Sequence, residues 1–166
     1  MKADKLYLVG FMAAGKSTLA RALGHRLDWP AEDIDDRIEA REHRTVADIF
    51  AVHGEPYFRA VERRVLAELL PRRHVVVATG GGTFAEPDNR TAILRDGAVV
   101  WLDAPLEQII ARLPPDNRRP LAADREQLRQ LYETRLFAYR QAHLRLDASR
   151  APVEELVERV LDWLEY

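Results

Sequence analysis

The stretch GFMAAGKST, Gly10 to Thr18, constrains this chain more than any other, because it follows the apolar run LYLV and precedes leucines spaced four apart. It fits the pattern G-x-x-x-x-G-K-[ST], with Gly10, Gly15, Lys16 and Ser17 in the fixed places. Between a strand and a helix, such a loop turns successive backbone N–H groups inward on a polyphosphate. The helix N-terminus adds the positive end of its dipole. A lysine in this place reaches the β- and γ-phosphates and the following hydroxyl ligates Mg²⁺, which makes Lys16 and Ser17 the first candidate site residues. The ligand this turn is expected to hold is a nucleoside triphosphate.

Around that loop the chain alternates short apolar runs with helical patterns, the signature of βαβ units in a parallel sheet. Strands are expected at Leu6 to Val9, His74 to Ala78, Ala98 to Leu102 and LRLD, with a weakly signalled one near AEDID, Ala31 to Asp35. Helices are expected from Ser17 to Leu27, from Thr45 to Gly54, through Phe58, Val61, Val65 and Leu69, from Pro105 to Leu113, from Arg125 to Ala142 and from Val153 to Leu164. At 166 residues with no internal repeat, one domain covering 1–166 is expected. With 25 Lys and Arg against 27 Asp and Glu, no global basic surface points to nucleic acid or membrane. Cysteine is absent, which excludes thiolate catalysis and zinc–cysteine sites. MKADK runs directly into a strand without the apolar core of a signal peptide, so a cytoplasmic location is expected.

Three further features separate a kinase from a switch or a motor. There is no N-K-x-D guanine-reading element, and HVVVA ends in TGGG, Thr79 to Gly82, where a strand-terminal Walker aspartate would stand. Glycines at the carboxyl end of a parallel strand let backbone come close to a ligand. DID, Asp33 to Asp35, falls at the end of the second expected strand. If the segment is extended, both carboxylates face the cleft, one serving Mg²⁺ and the other a substrate hydroxyl. EDIDD also reads as a solvated helix start, since aspartate is favoured at N-caps. Arg59 and Arg135 lie in GEPYFRAVE and YETRLFAYR, and Arg112, Arg118 and Arg119 bracket PPDN in a proline-bounded connector with the character of a lid, about 112–124.

Together GFMAAGKST, DID followed by Ile38 and Glu39, ADIFAVHGEPYFRAVE, ATGGG, RRPL and LYETR with the later YR resemble the shikimate kinase family, in the family's order over nearly the whole chain. The resemblance implies a three-layer α/β/α P-loop kinase fold with a five-stranded parallel sheet and a lid. It implies phosphorylation of the 3-hydroxyl of shikimate by ATP with Mg²⁺, in chorismate biosynthesis, by a monomer. Asp35, Arg59, Gly81 and Arg135 match the residues that bind shikimate, and Asp35 the one at the reacting hydroxyl. Ala13, Ala14, Gly15, Lys16, Ser17 and Thr18 match the ATP phosphate loop; Ser17 and Asp33 match the metal site. Arg119 matches the lid arginine at the transferred group, and Arg112 one near the adenine. The catalytic set so implied is Lys16, Asp35 and Arg119. Ala13, Ala31, Glu32 and Arg44 depart from the family's usual residues. A gluconate-type sugar-acid kinase and a non-catalytic nucleotide-binding module are the alternative readings.

Overall fold

A computed structural model of the chain describes residues 3–113 and 122–165. Strand β1 (Lys5–Val9) leads through the phosphate loop into α1 (Lys16–Leu27), and β2 (Ala31–Asp33) follows. Next come α2 (Ile34–Glu42), α3 (Val46–His53), α4 (Glu55–Leu69), β3 (Val75–Ala78), a 3₁₀ turn (Thr83–Ala85) and α5 (Pro87–Asp96). The chain finishes with β4 (Ala98–Asp103), α6 (Leu106–Arg112), α7 (Ala122–Tyr139), β5 (Leu144–Asp147) and α8 (Val153–Leu164). All strand pairs are parallel, in the order β2-β3-β1-β4-β5. This is the expected three-layer α/β/α arrangement around a five-stranded parallel sheet.

Burial on both faces explains why the central strands read as unbroken apolar runs: Leu6, Tyr7, Leu8 and Val9 are all inaccessible to solvent. On one face Leu8, Val100 and Leu102 share a side by register, and Leu102 reaches Gly15 at the head of α1, which packs on α8. On the other face the Tyr7 hydroxyl donates to Asp96 in α5 at 2.5 Å. Lys5 belongs to the strand although the apolar pattern starts one residue later. Its buried ammonium donates to the Leu69 and Leu70 carbonyls at the end of α4, at 2.6 and 3.2 Å, and pairs with Asp96 at 2.6 Å. A buried lysine is tolerable here because every bond it lost to water is replaced.

The phosphate loop follows β1 and the glycine turn follows β3, its neighbour. The helix after β1 goes to one face of the sheet and the helix after β3 to the other, so a crevice opens between the two strand ends.

Local structure departs from expectation at DID. Strand β2 stops at Asp33, whose side chain accepts from the Asp36 N–H at 3.1 Å as an N-cap, and Asp35 lies in the first turn of α2. Asp33 and Asp35 therefore do not share a face by strand alternation, because N-capping by aspartate won over continuation of the strand. Helix α2 is the helix start that EDIDD offers as its other reading; helix α5 has no counterpart among the expected helices, although Pro87 at its start and Gly97 just past its end are the usual punctuation. Helix α7 ends at Tyr139, three residues short of the expected Ala142. Thr45 caps α3 by accepting from the Asp48 N–H at 3.1 Å, as the spacing predicts.

Ala13 has φ 56°, the left-handed region that costs a non-glycine residue about 1–2 kcal/mol. Ala13→Gly removes that strain and gives back about 0.4–1 kcal/mol through the freer unfolded chain. The net expectation is a variant stabler by about 0.5–1 kcal/mol, or roughly 2 °C in melting temperature. Calorimetry showing a lower melting temperature would reject the strain at this position.

Candidate active site

At the carboxyl edge of the sheet the phosphate loop encloses its own lysine. Lys16 is 8% exposed, and its ammonium donates to the carbonyls of Gly10 and Phe11, both at 2.7 Å. Burial lowers its pKa to about 8, against the raising influence of the Asp35 and Asp33 carboxylates. It is thus charged at neutral pH and held on two uncharged acceptors that a phosphate can outbid. Ala13, Ala14, Gly15, Ser17 and Thr18 line the same cavity, which has a volume of about 580 Å³. The side chain of Arg112 lies over this loop, its guanidinium donating to the Ala14 and Ala13 carbonyls at 3.3 and 3.4 Å. Leu102, Ala148, Ala151, Val153 and Leu156 give the cavity an apolar lining that suits a flat heteroaromatic ring. Sequence reasoning assigned none of these five. In the sequence only Ala148 and Ala151 fall in a loop, DASRAP after the last strand; Leu102 lies in the AVVWL strand and Val153 and Leu156 in the closing helix.

Asp33 and Asp35 both line the cavity. The Ser17 hydroxyl donates to Asp33, so two hard oxygen donors stand side by side at the loop mouth. Among the described residues no group of three or more His, Cys, Asp or Glu could hold a metal unaided. Two protein oxygens, with phosphate and water completing the shell, are what Mg²⁺ usually accepts, so Ser17 and Asp33 fit that ion. Asp35 differs in character: burial, then the nearby charges of Asp33 and Glu62, raise its pKa to about 6 despite Lys16. A carboxylate so raised is a competent proton acceptor near neutral pH.

The glycine turn after β3 organises the rest. A methyl group on Gly80 would lie 2.7 Å from the Asp35 carboxylate, one on Gly81 3.2 Å from the Arg135 guanidinium, and one on Gly82 2.5 Å from that of Arg59. Three consecutive missing side chains thus make room for one carboxylate and two guanidiniums, delivered by α2, α7 and α4. Arg59 donates to Glu62 at 2.9 Å, and the other Glu62 oxygen accepts from Thr83 at 2.9 Å, whose hydroxyl in turn accepts the Gly80 N–H at 2.9 Å. Glu62, fully buried, therefore ties Arg59 to the turn. It was legible as the i+3 partner of Arg59 on one helix face but was given no role. Arg119 and most of the expected lid lie outside the described residues.

Comparison with known proteins points to one family. The family model described as shikimate kinase matches residues 12–165. The shikimate kinase of Persephonella marina is 38% identical over 157 residues, covering 94% of this chain and 96% of that protein. The crystal structure of shikimate kinase from Bacteroides thetaiotaomicron superposes with a TM-score of 0.89 at 32% identity, covering 99% of each chain. The structure of the Acinetobacter baumannii enzyme in complex with shikimate gives 0.91 at 34% identity, covering 98% of this chain and 93% of that one.

Proposed function

The chain belongs to the shikimate kinase family, and from that premise we propose that it transfers the γ-phosphoryl group of ATP to the 3-hydroxyl of shikimate, giving shikimate 3-phosphate and ADP, in chorismate biosynthesis. The observation that carries this reading is the glycine turn with Asp35, Arg135 and Arg59 against its three residues, beside the phosphate loop. Shikimate offers one carboxylate for the two guanidiniums and hydroxyls for the single carboxylate.

In the reaction Lys16 exchanges its two loop carbonyls for phosphate oxygens and neutralises charge that builds up as the phosphoryl group moves. Asp35 orients the 3-hydroxyl and takes its proton. Arg59 and Arg135 fix the acid end, so that the hydroxyl stands in line with the γ-phosphate. Ser17 and Asp33 would hold Mg²⁺, which when bound shields the phosphate charges. Arg119 is assigned to the transferring group on its family match alone. The adenine packs on the apolar lining of the cavity, with Arg112 assigned beside it on its family match. The enzyme acts as a cytoplasmic monomer; among the described residues no helix is long and apolar enough to cross a membrane.

A coupled ADP-release assay with shikimate and gluconate tests this. Turnover is expected with shikimate only, and it disappears when Mg²⁺ is chelated. Equal rates with gluconate would favour the sugar-acid kinase, and ATP binding without turnover on either acid would favour a non-catalytic module.

A further inference from the structure

The two arginines at the glycine turn are held by different physics. Arg59 is fixed by carboxylates, Glu62 at 2.9 Å and Glu55 at 3.4 Å, which compensate part of its charge before any ligand arrives. Among the described residues no carboxylate pairs with Arg135. Its guanidinium carbon instead lies 5.5 Å from the centroid of the Phe11 ring, with Gly81 on another side. The Tyr139 hydroxyl beside it, with its pKa pushed up to about 12 by burial, is neutral and donates to the Gly81 carbonyl at 2.6 Å.

Phe11 is itself locked in place. It is 2% exposed, and Tyr132 meets its ring edge-on, with centroids 5.3 Å apart and planes at 81°. Tyr132, Arg135 and Tyr139 fall at i, i+3 and i+7 of α7, one face of the helix, so the whole face is registered on a residue of the phosphate loop. An aromatic face directs a guanidinium by its quadrupole and, unlike a carboxylate, adds no counter-charge.

We propose that Phe11 is a positioning residue for the substrate acid: its ring holds the Arg135 guanidinium against Gly81 while leaving the positive charge uncompensated for the substrate carboxylate. Phe11 touches neither substrate and acts through Arg135. The inference rests on the kinase reading above and specifies how one half of the acid site is built.

The test is steady-state kinetics of Phe11→Leu, which keeps an apolar side chain of moderate size but has no ring. The expected result is a KM for shikimate raised about 3- to 10-fold, the range of a partly desolvated cation–π contact, with kcat and the KM for ATP within about twofold. In an Arg135→Ala background the same substitution changes kcat/KM for shikimate by less than about twofold. Phe11→Tyr, which keeps the ring, restores the shikimate KM, and Phe11→Met takes the place of Phe11→Leu should the latter fail to fold. An unchanged shikimate KM, equal rises for both substrates, or a penalty that persists without Arg135 would overturn the inference. A wild-type protein inert toward shikimate overturns the kinase reading and this inference with it. A fully active wild type with an unmoved Phe11→Leu overturns this inference alone.

Discussion

Asp35→Asn lowers kcat by about 10²- to 10⁴-fold, the range associated with a positioned general base, and weakens shikimate binding while leaving the Mg²⁺ requirement where it was. The substitution keeps shape and one acceptor oxygen but removes the basicity. Its stability signature runs opposite to that of ordinary damage. The Asp35 pKa rises from 3.8 to about 6 on folding, first through burial and then through the like charges of Asp33 and Glu62. The protonated carboxyl therefore favours the fold fully below pH 3.8, and that advantage is lost as pH rises through about 6. At pH 8 the neutral asparagine escapes the cost of a buried charge, so the variant should melt no lower than wild type. The acid limb of the kcat/KM profile for shikimate, expected near pH 6 in wild type, should vanish with it. A variant that keeps its turnover, or whose only defect is a higher Mg²⁺ requirement, would show that Asp35 serves the metal and that the division of labour with Asp33 is reversed.

Lys16→Ala carries the second large effect. The ammonium is aimed at charge that develops during transfer, and groups of that kind are commonly worth about 10²- to 10³-fold in turnover. Because it also meets the phosphates in the ground state, the KM for ATP should rise together with the fall in kcat. Lys16→Arg should not rescue either, since a planar guanidinium does not fit a site where the lysine is 8% exposed and held by two carbonyls at 2.7 Å. In wild type the loss of the Lys16 proton near pH 8 sets the alkaline limb of kcat/KM, giving a bell between about 6 and about 8. An alanine variant with unchanged kcat at saturating ATP would remove Lys16 from the transfer step.

What could be read from the sequence divides along physical lines. The central strands were legible because burial on both faces leaves nothing but apolar residues, as in VVVA and AVVWL. The loop GFMAAGKST was legible because backbone geometry demands its glycines at set places. Lys5 was not legible as a buried strand residue. Its solvation is replaced by carbonyls 64 and 65 residues away, which no local window contains. DID reads in the sequence both as a strand end and as a helix start, and the two aspartates reach the cavity as an N-cap and a first-turn residue, not by strand alternation. Arg59 and Arg135 stand out in their sequence context, but their role comes from the resemblance. What the structure adds is that one is held by Glu62, its i+3 neighbour on α4, and the other by Phe11, a pairing across more than a hundred residues that leaves no periodic trace.

The strand order has a consequence for synthesis. The first three strands made, β1, β2 and β3, are contiguous in the sheet as β2-β3-β1, and each later strand adds to the free edge, β4 beside β1 and β5 beside β4. A chain emerging from the ribosome can therefore build this sheet outward from what already exists, without prising apart a pair formed earlier. The phosphate loop, both aspartates, Arg59 and the glycine turn all belong to that first half. Arg135 arrives on α7, and the apolar lining of the nucleotide cavity is completed only by α8. The nascent protein thus acquires its anion-binding turn well before the elements that complete the site around it.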